Sequence, residues 1–291
     1  MTLDMLGVLI PNITVNALVL ASMYILASLG FAFIFNMLGS VNLAHGAFYM
    51  LAAYVTYYLC AKAGLNNWLA MLLSAVVLAA IGVLMERVVF RPFMTEFNRV
   101  VMVSVALMTM LQQIAVFVSG SQTIAIPKYG EGSVDLGFMM LTNEKLVTFA
   151  VGMVLLIITL IIVYKTKLGM QMEAISQDRL GAALQGIQVN KVSMLICALG
   201  FALAAVAGSM MGAYQQVSAT MGDNINVRIL MLVMLAGAGS MNGILITGAL
   251  MAVLDSVCPV IWDSYTASSI ACSAVVILLL FKPKGFFGHD A

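Results

Sequence analysis

The pair of His45 and Ser240 has the residue types of a serine hydrolase. A serine hydrolase also needs a third group that orients the histidine toward the serine hydroxyl. No acidic residue lies near His45 in the sequence, and the GAGS run around Ser240 belongs to a stretch that is rich in small residues. We therefore expect no catalytic residue in this chain.

The cysteines have neither paired spacing nor the spacing of a metal site. All of them lie in or beside apolar runs, where cysteine commonly packs as a small hydrophobic residue. They are Cys60, Cys197, Cys258 and Cys272. We expect no disulfide, no metal site and no cofactor bound by this chain.

The composition excludes an ordinary soluble domain. Of 291 residues, 63% are hydrophobic and 9% are charged, and the mean hydropathy is +1.08. Soluble domains carry about 25% charged residues. A net charge of +1 argues against nucleic acid as a partner, and the N-terminal run MTLDMLGVLIPN lacks the basic region of a cleavable signal peptide. The sequence predicts an all-α polytopic membrane protein, with residues 1–291 forming a single transmembrane domain in contact with lipid.

About eight apolar segments are long enough to enter the membrane. They cover residues 13–35, 47–62, 68–90, 100–118, 146–164, 192–214, 229–257 and 260–281. The segment 229–257 is too short for two crossings and too long for one, and the run AGAGSMNG (236–243) interrupts it. We expect a broken or re-entrant pair of half-helices there, either packed tightly through small residues or exposing backbone groups to a polar solute.

Lys and Arg beside the spans predict the orientation, because cytoplasmic loops carry an excess of both. The basic residues cluster in three places: Arg87, Arg91 and Arg99; Lys165, Lys167, Arg179 and Lys191; and Lys282 and Lys284. These places should be cytoplasmic, which puts the N-terminus and the loop 119–144 outside. Gly and Pro mark turns in that loop, and we expect it to contain no buried core.

Four polar residues at or near membrane depth are candidates for lining a substrate path: Asn42, His45, Ser240 and Asn242. Polar side chains in a membrane usually face the bundle interior or water. Asn42 could instead cap a helix N-terminus, and His45 could be structural. The middle of every predicted span is uncharged, because Glu86 and Asp255 lie near span ends and Arg228 in a loop.

The segment 165–191 is the longest polar interruption on the basic side. Its apolar residues recur at steps of three and four, which predicts a short amphipathic helix. Gly181 and Gly186 weaken this helix, since each Gly costs about 1 kcal/mol relative to Ala. It therefore needs a surface, either that of its own bundle or that of a cytoplasmic partner.

Five stretches resemble the LivH-type permeases of branched-chain amino-acid ABC importers. GSVNLAHGAFYMLAAYV (39–55) is similar to the family's INFAHGxFxMLGAYV signature. The others are ERVVFRPF (86–93), LGMQMEAISQDRLGAALQGIQVNKV (168–192), LAGAGSMNGILITGALMAVLD (235–255) and FKPKGFFG (281–288). Met172 and Ile175 depart from the family's loop pattern, Ala236 stands in place of a glycine and Asp255 in place of a glutamate. We expect the Met172 change to affect docking to an ATPase.

The resemblance implies a permease subunit of the bacterial inner membrane. Its partners would be a second related permease, two cytoplasmic ATPase subunits and an extracytoplasmic solute-binding protein. The sequence has no GxxxxGK[ST] motif, so ATP would bind to the ATPase subunits. The loop would be their coupling helix, which favours the docking interpretation of the segment. The residues that the resemblance assigns to coupling are Glu173, Ala174, Gln177, Asp178, Leu184, Gly186 and Ile187.

The implied solute is a branched-chain amino acid. A permease of the same family for urea, short amides or aromatic acids is an alternative. An ion-coupled secondary transporter and an intramembrane enzyme are more distant ones.

Overall fold

The structure is a computed structural model that describes residues 3–93, 96–135, 140–237, 239–261, 264–282 and 285–287. Its long helices are α1 (Leu3–Leu38), α2 (His45–Ala61), α3 (Asn67–Leu84), α4 (Phe97–Ser119) and α5 (Asn143–Lys165). Two short helices follow, α6 (Lys167–Gln177) and α7 (Arg179–Leu184). The chain continues with α8 (Val189–Gln215), α9 (Met221–Ala236), α10 (Met241–Ile261) and α11 (Ser264–Phe281).

Among the described residues, six helices have the length and apolar composition to cross a membrane. They are α1, α3 with its π-helical and 3-10 extension (Met85–Phe93), α4, α5, α8 and α10. The helices α2 and α9 are shorter, with 17 and 16 residues. The only regular β structure in the described part of the chain is a small antiparallel hairpin of β1 (Ser133–Asp135) and β2 (Met140–Thr142).

The centre of the bundle is formed by α1 and α8, which are largely buried and pack against each other. They approach closely because both have glycine at the contact. A side chain on Gly30 would meet the carbonyl oxygen of Gly200, and a side chain on Gly200 would meet that of Gly30. Small residues of this kind let membrane helices pack tightly.

Contacts among helix ends and connecting segments show which residues lie at the same end of the bundle. At one end, Arg91 donates to the Asn190 carbonyl, Arg179 donates to the Met37 carbonyl, and the Phe286 amide donates to the Leu235 carbonyl. These bonds join the end of the α3 extension to the start of α8, α7 to the C-terminal end of α1, and the residues after α11 to the C-terminal end of α9. Arg91, Arg179 and Lys282, from the three basic clusters, belong to this end; Lys284 lies outside the described residues. This is the end that the positive-inside rule makes cytoplasmic.

The outer end also has internal contacts. Ile124 and Val217 exchange backbone hydrogen bonds of 2.8 and 2.7 Å, and Asn67 donates to the Pro127 carbonyl at 2.9 Å. Ile126 is buried with residues of α2 and α4. The expectation that the loop 119–144 contains no buried core is therefore wrong, because apolar side chains alternate with its turns and fold back onto the helix ends.

The predicted interruption at 236–243 is confirmed, since α9 ends at Ala236 and α10 begins at Met241, but the two helices are longer than the predicted halves. The helix α9 begins at Met221, well before residue 229, and α10 continues to Ile261, so α10 alone can cross the membrane. The turn between them therefore lies at the cytoplasmic end of the bundle instead of at mid-depth. Polar residues near the start of α9 caused the error, because they made a helix resemble a loop.

Candidate functional site

The first candidate path residues lie around a non-helical segment, residues 39–44, that inserts into the bundle. Its backbone is bonded by side chains of neighbouring helices. The Leu43 amide donates to Ser104 Oγ of α4 at 3.1 Å, and Asn226 Nδ2 of α9 donates to the Leu43 carbonyl at 2.9 Å. Non-helical backbone is tolerated inside a membrane when protein surrounds it in this way.

Asn42 and His45 are buried in that region, with exposed fractions of 1% and 0%. Asn42 Oδ1 accepts from the Ala44 amide at 3.1 Å, just before α2 begins. His45 Nε2 is 3.1 Å from the Ala27 carbonyl of α1, and its ring packs edge-on against Phe31. These contacts correspond to the structural alternative for both residues.

Ser240 and Asn242 lie elsewhere: Ser240 is in the turn between α9 and α10, and Asn242 is in the first turn of α10. Ser240 Oγ accepts from the Gly243 amide at 3.1 Å at the start of α10. Asn242 Oδ1 accepts from the Tyr164 hydroxyl of α5 at 3.0 Å. Both line a cavity of about 190 Å³ that Glu173 of α6 also lines. The structure therefore separates the four candidate path residues into two pairs, and one pair adjoins the coupling segment.

The coupling segment forms two helices with different surroundings. Met172 and Ile175 of α6 are buried against the bundle, with exposed fractions of 3% and 4%. Met172 packs against its own bundle. It is therefore not placed to touch a docked ATPase directly, as the sequence analysis expected. The exposed Asp178 caps α7, because its carboxylate accepts from the amides of Leu180 and Gly181 at 3.0 Å. Gly186 has φ +83° and ends this region with a turn.

On α7 the apolar side chains point away from the bundle. Leu180 is 72% exposed and Leu184 is 80% exposed, while Ala182 is buried beneath them at 5%. Both Leu180 and Ile187 line an open groove of about 630 Å³. Glu173 and Gln177 of α6 are exposed on the same segment, and Ala174 is half-buried. The segment thus contacts its own bundle on one side and presents an unpartnered apolar surface on the other.

A third polar site was missed by the sequence analysis. Arg228 of α9 donates through Nε to Asp255 Oδ2 of α10, and Tyr24 of α1 donates to the same oxygen at 2.9 Å. The two ionic side chains are 28% and 10% exposed. The expectation that Arg228 lies in a loop is wrong, because Arg228 lies inside α9. No local sequence pattern indicated this site, because Tyr24, Arg228 and Asp255 lie far apart in the chain.

The α-helical bundle, its internal polar contacts and its exposed coupling segment define a multi-pass membrane permease. The chain belongs to the family described as "Branched-chain amino acid transport system / permease component", whose model matches residues 13–281. It is a permease subunit of an ABC importer and is not itself an enzyme.

Individual relatives agree with this family. The chain is 27% identical to the high-affinity branched-chain amino acid transport system permease protein BraD of Pseudomonas aeruginosa, over 94% of each chain. It is 26% identical to the corresponding LivH of Escherichia coli, again over 94% of each chain. Among solved structures, it resembles PsaBC from Streptococcus pneumoniae in complex with Fab, with a TM-score of 0.52 at 17% identity. That alignment covers 90% of this chain and 89% of the other, and it supports the fold alone.

Proposed function

We propose that this permease imports branched-chain amino acids and that ATP hydrolysis on cytoplasmic ATPase subunits drives the transport. The chain binds no cofactor of its own in this proposal. A second related permease completes the pathway, and an extracytoplasmic binding protein delivers the solute. Family membership and the printed functions of BraD and LivH support the solute class.

The exposed apolar surface of α7 is the observation that carries the ATP-driven mechanism. A leucine that is 80% exposed on a loop leaves apolar area in water that a protein partner would bury. This surface lies at the basic end of the bundle, where cytoplasmic ATPases would dock. The residues proposed for coupling, from Glu173 to Ile187, surround it.

The position of Ser240 and Asn242 suggests how docking could reach the solute path. Tyr164 is followed directly by the coupling segment, and its hydroxyl donates to Asn242 Oδ1 in the first turn of α10, beside the α9–α10 turn. A displacement of α6 would therefore pull on this turn through α5. We assign Ser240 and Asn242 to the inner end of the path, and Asn42 and His45 to the support of α2.

Transport into vesicles tests the proposed function. The permease is reconstituted with its partner permease and ATPases, with ATP inside the vesicle and binding protein outside. Uptake of radiolabelled leucine, isoleucine or valine should require ATP and the binding protein. It should persist when an ionophore removes the proton gradient at constant ATP.

Two results would contradict the proposal. Leucine uptake driven by a pH or sodium gradient without nucleotide would show a secondary transporter. ATP-dependent uptake of urea, a short amide or an aromatic acid, without uptake of the aliphatic amino acids, would keep the mechanism and change the solute.

A further inference from the structure

A second cavity, of about 300 Å³, enters the bundle from the outer end between α8 and α9. Its mouth is formed by the α8–α9 connection, including Gln216 and Ser218, and its deeper wall by Tyr24 and Arg228. Arg228 lies about 10 Å along α9 from the first residue of that helix, at 1.5 Å per residue. The volume is at the lower end of the range for small-molecule sites.

The deep wall of this cavity has an ion pair. Arg228 lines the cavity, while Asp255 lies behind it and accepts hydrogen bonds from both Arg228 and Tyr24. Charged side chains are costly inside a membrane and are by default evidence for a functional site. A buried ion pair also gives little net stability compared with apolar packing. The stability of the fold alone is therefore a weak explanation for this ion pair.

The donor geometry leaves room for a ligand at Arg228. A guanidinium has five N–H donors. Arg228 uses Nε on Asp255, has a long 3.5 Å bond from Nη1 to the Asn224 carbonyl and also bonds to the Tyr24 hydroxyl, which leaves at least two donors for a ligand. Its side chain remains 28% exposed, toward the cavity that it lines. Guanidinium groups bind carboxylates through paired N–H donors, so a ligand carboxylate fits this position.

The surroundings of Arg228 suit a zwitterion. Asp255 balances the charge of Arg228, so the site favours a ligand that carries both charges over a simple anion. Asn224 and Gln215 line the same cavity, and a side-chain amide oxygen can accept from an ammonium group. In this mainly polar lining, three residues offer apolar contacts to an aliphatic side chain: Met211, Met221 and Ile225.

We propose that this cavity is a binding site for free aliphatic α-amino acids within the permease, with Arg228 receiving the carboxylate. The site would hold the solute after its release from the binding protein, so the permease itself would contribute to specificity. This inference deepens the proposed function, because it assigns the chemical class of the solute to named residues of this chain.

Direct binding to the assembled transporter in nanodiscs, without binding protein, tests the inference. Radiolabelled leucine should bind saturably. Leucinamide, which lacks the carboxylate, and 4-methylpentanoate, which lacks the ammonium group, should compete at least about tenfold more weakly, since a lost charged hydrogen bond has an effect of this size.

Paired variants separate a ligand site from a structural ion pair. Arg228→Gln alone leaves Asp255 without its cation and can destabilise the fold. The double variant Arg228→Gln with Asp255→Asn removes both charges at nearly constant shape, so it should assemble and melt like the unmodified protein. It should nevertheless bind leucine at least about tenfold more weakly. Arg99→Gln, in an exposed pair with Glu96 at the other end, is the matched control and should bind leucine normally.

Leucine binding by the double variant at the unmodified affinity would show that the ion pair is only structural. Absence of saturable leucine binding to the unmodified transporter would also overturn the inference. The proposed function is measured separately by ATP-driven uptake, so uptake without direct binding would refute the site alone. Direct binding without uptake would refute the proposed function and leave the site standing.

Discussion

His45 shows how a single polar residue can be buried in this bundle without being part of a relay. A carbonyl oxygen only accepts hydrogen bonds, so the contact with Ala27 places a proton on Nε2 of the imidazole. The ring packs among the aromatic rings of Phe31 and Phe201. The described contacts of His45 are thus one carbonyl and apolar rings, which hold α2 against α1 and α8.

The first prediction concerns this residue. His45→Gln can still donate an N–H to the Ala27 carbonyl, so ATP-driven uptake should stay within about half of the unmodified rate. His45→Leu loses the bond, and interhelical hydrogen bonds in membranes contribute about 0.6 kcal/mol on average and up to about 1.7 kcal/mol. The Leu variant should therefore unfold at a lower temperature than the Gln variant, as measured by thermal denaturation in detergent.

The comparison of the two variants is the internal control. If His45 were a proton relay, the Gln variant would fold as stably as the unmodified protein yet lose uptake. That outcome would reject the structural assignment.

At the scale of elements, the coupling segment combines an anchor and a free surface. The anchor is α6, whose Met172 and Ile175 are buried, and Arg179 adds a bond of 3.1 Å to the Met37 carbonyl of α1. The short helix α7 is held in place by this anchor and leaves its leucines exposed. A rigid attachment with an apolar outer face suits the transmission of force from a docked partner.

The second prediction concerns that face. Leu184→Asp should release the ATPase subunits from the purified complex, because an unpaired charge in an interface is strongly unfavourable. Co-purification of the ATPase measures the loss directly. Because Leu184 is 80% exposed in the isolated chain, the substitution should leave the thermal stability of the permease nearly unchanged.

Val134→Asp is the matched control, since it places the same charge at an exposed apolar position on the outer hairpin. It should leave the ATPase bound. If the Leu184→Asp complex stays intact and transports normally, α7 does not dock the ATPase.

At the scale of the whole molecule, hydropathy and the basic clusters were sufficient to predict an all-α membrane bundle. The break before α2 and the amphipathic coupling segment were also visible as local patterns. The helix α9 was misjudged because Asn224, Asn226 and Arg228 look like loop residues. Asn226 donates to the Leu43 carbonyl, which is distant in sequence, and Arg228 donates to Asp255 in α10. Pairings between distant segments leave no periodic signal, so the outer cavity could not be predicted.

The last prediction tests the orientation of the whole bundle. The basic residues and the coupling segment lie at one end, and the hairpin of β1 and β2 lies with the other loops at the opposite end. Single cysteines at Ser133 and Gln177, both exposed, should therefore react with an impermeant thiol reagent from opposite sides of the membrane. The native four cysteines are first replaced, because Cys60 and Cys272 are only half-buried and could react themselves. Ser133 should label in intact cells and Gln177 only in inverted vesicles that lack the ATPase. Labelling of both positions from one side would contradict the separation of the two ends by the membrane, and with it the cytoplasmic position of the coupling surface.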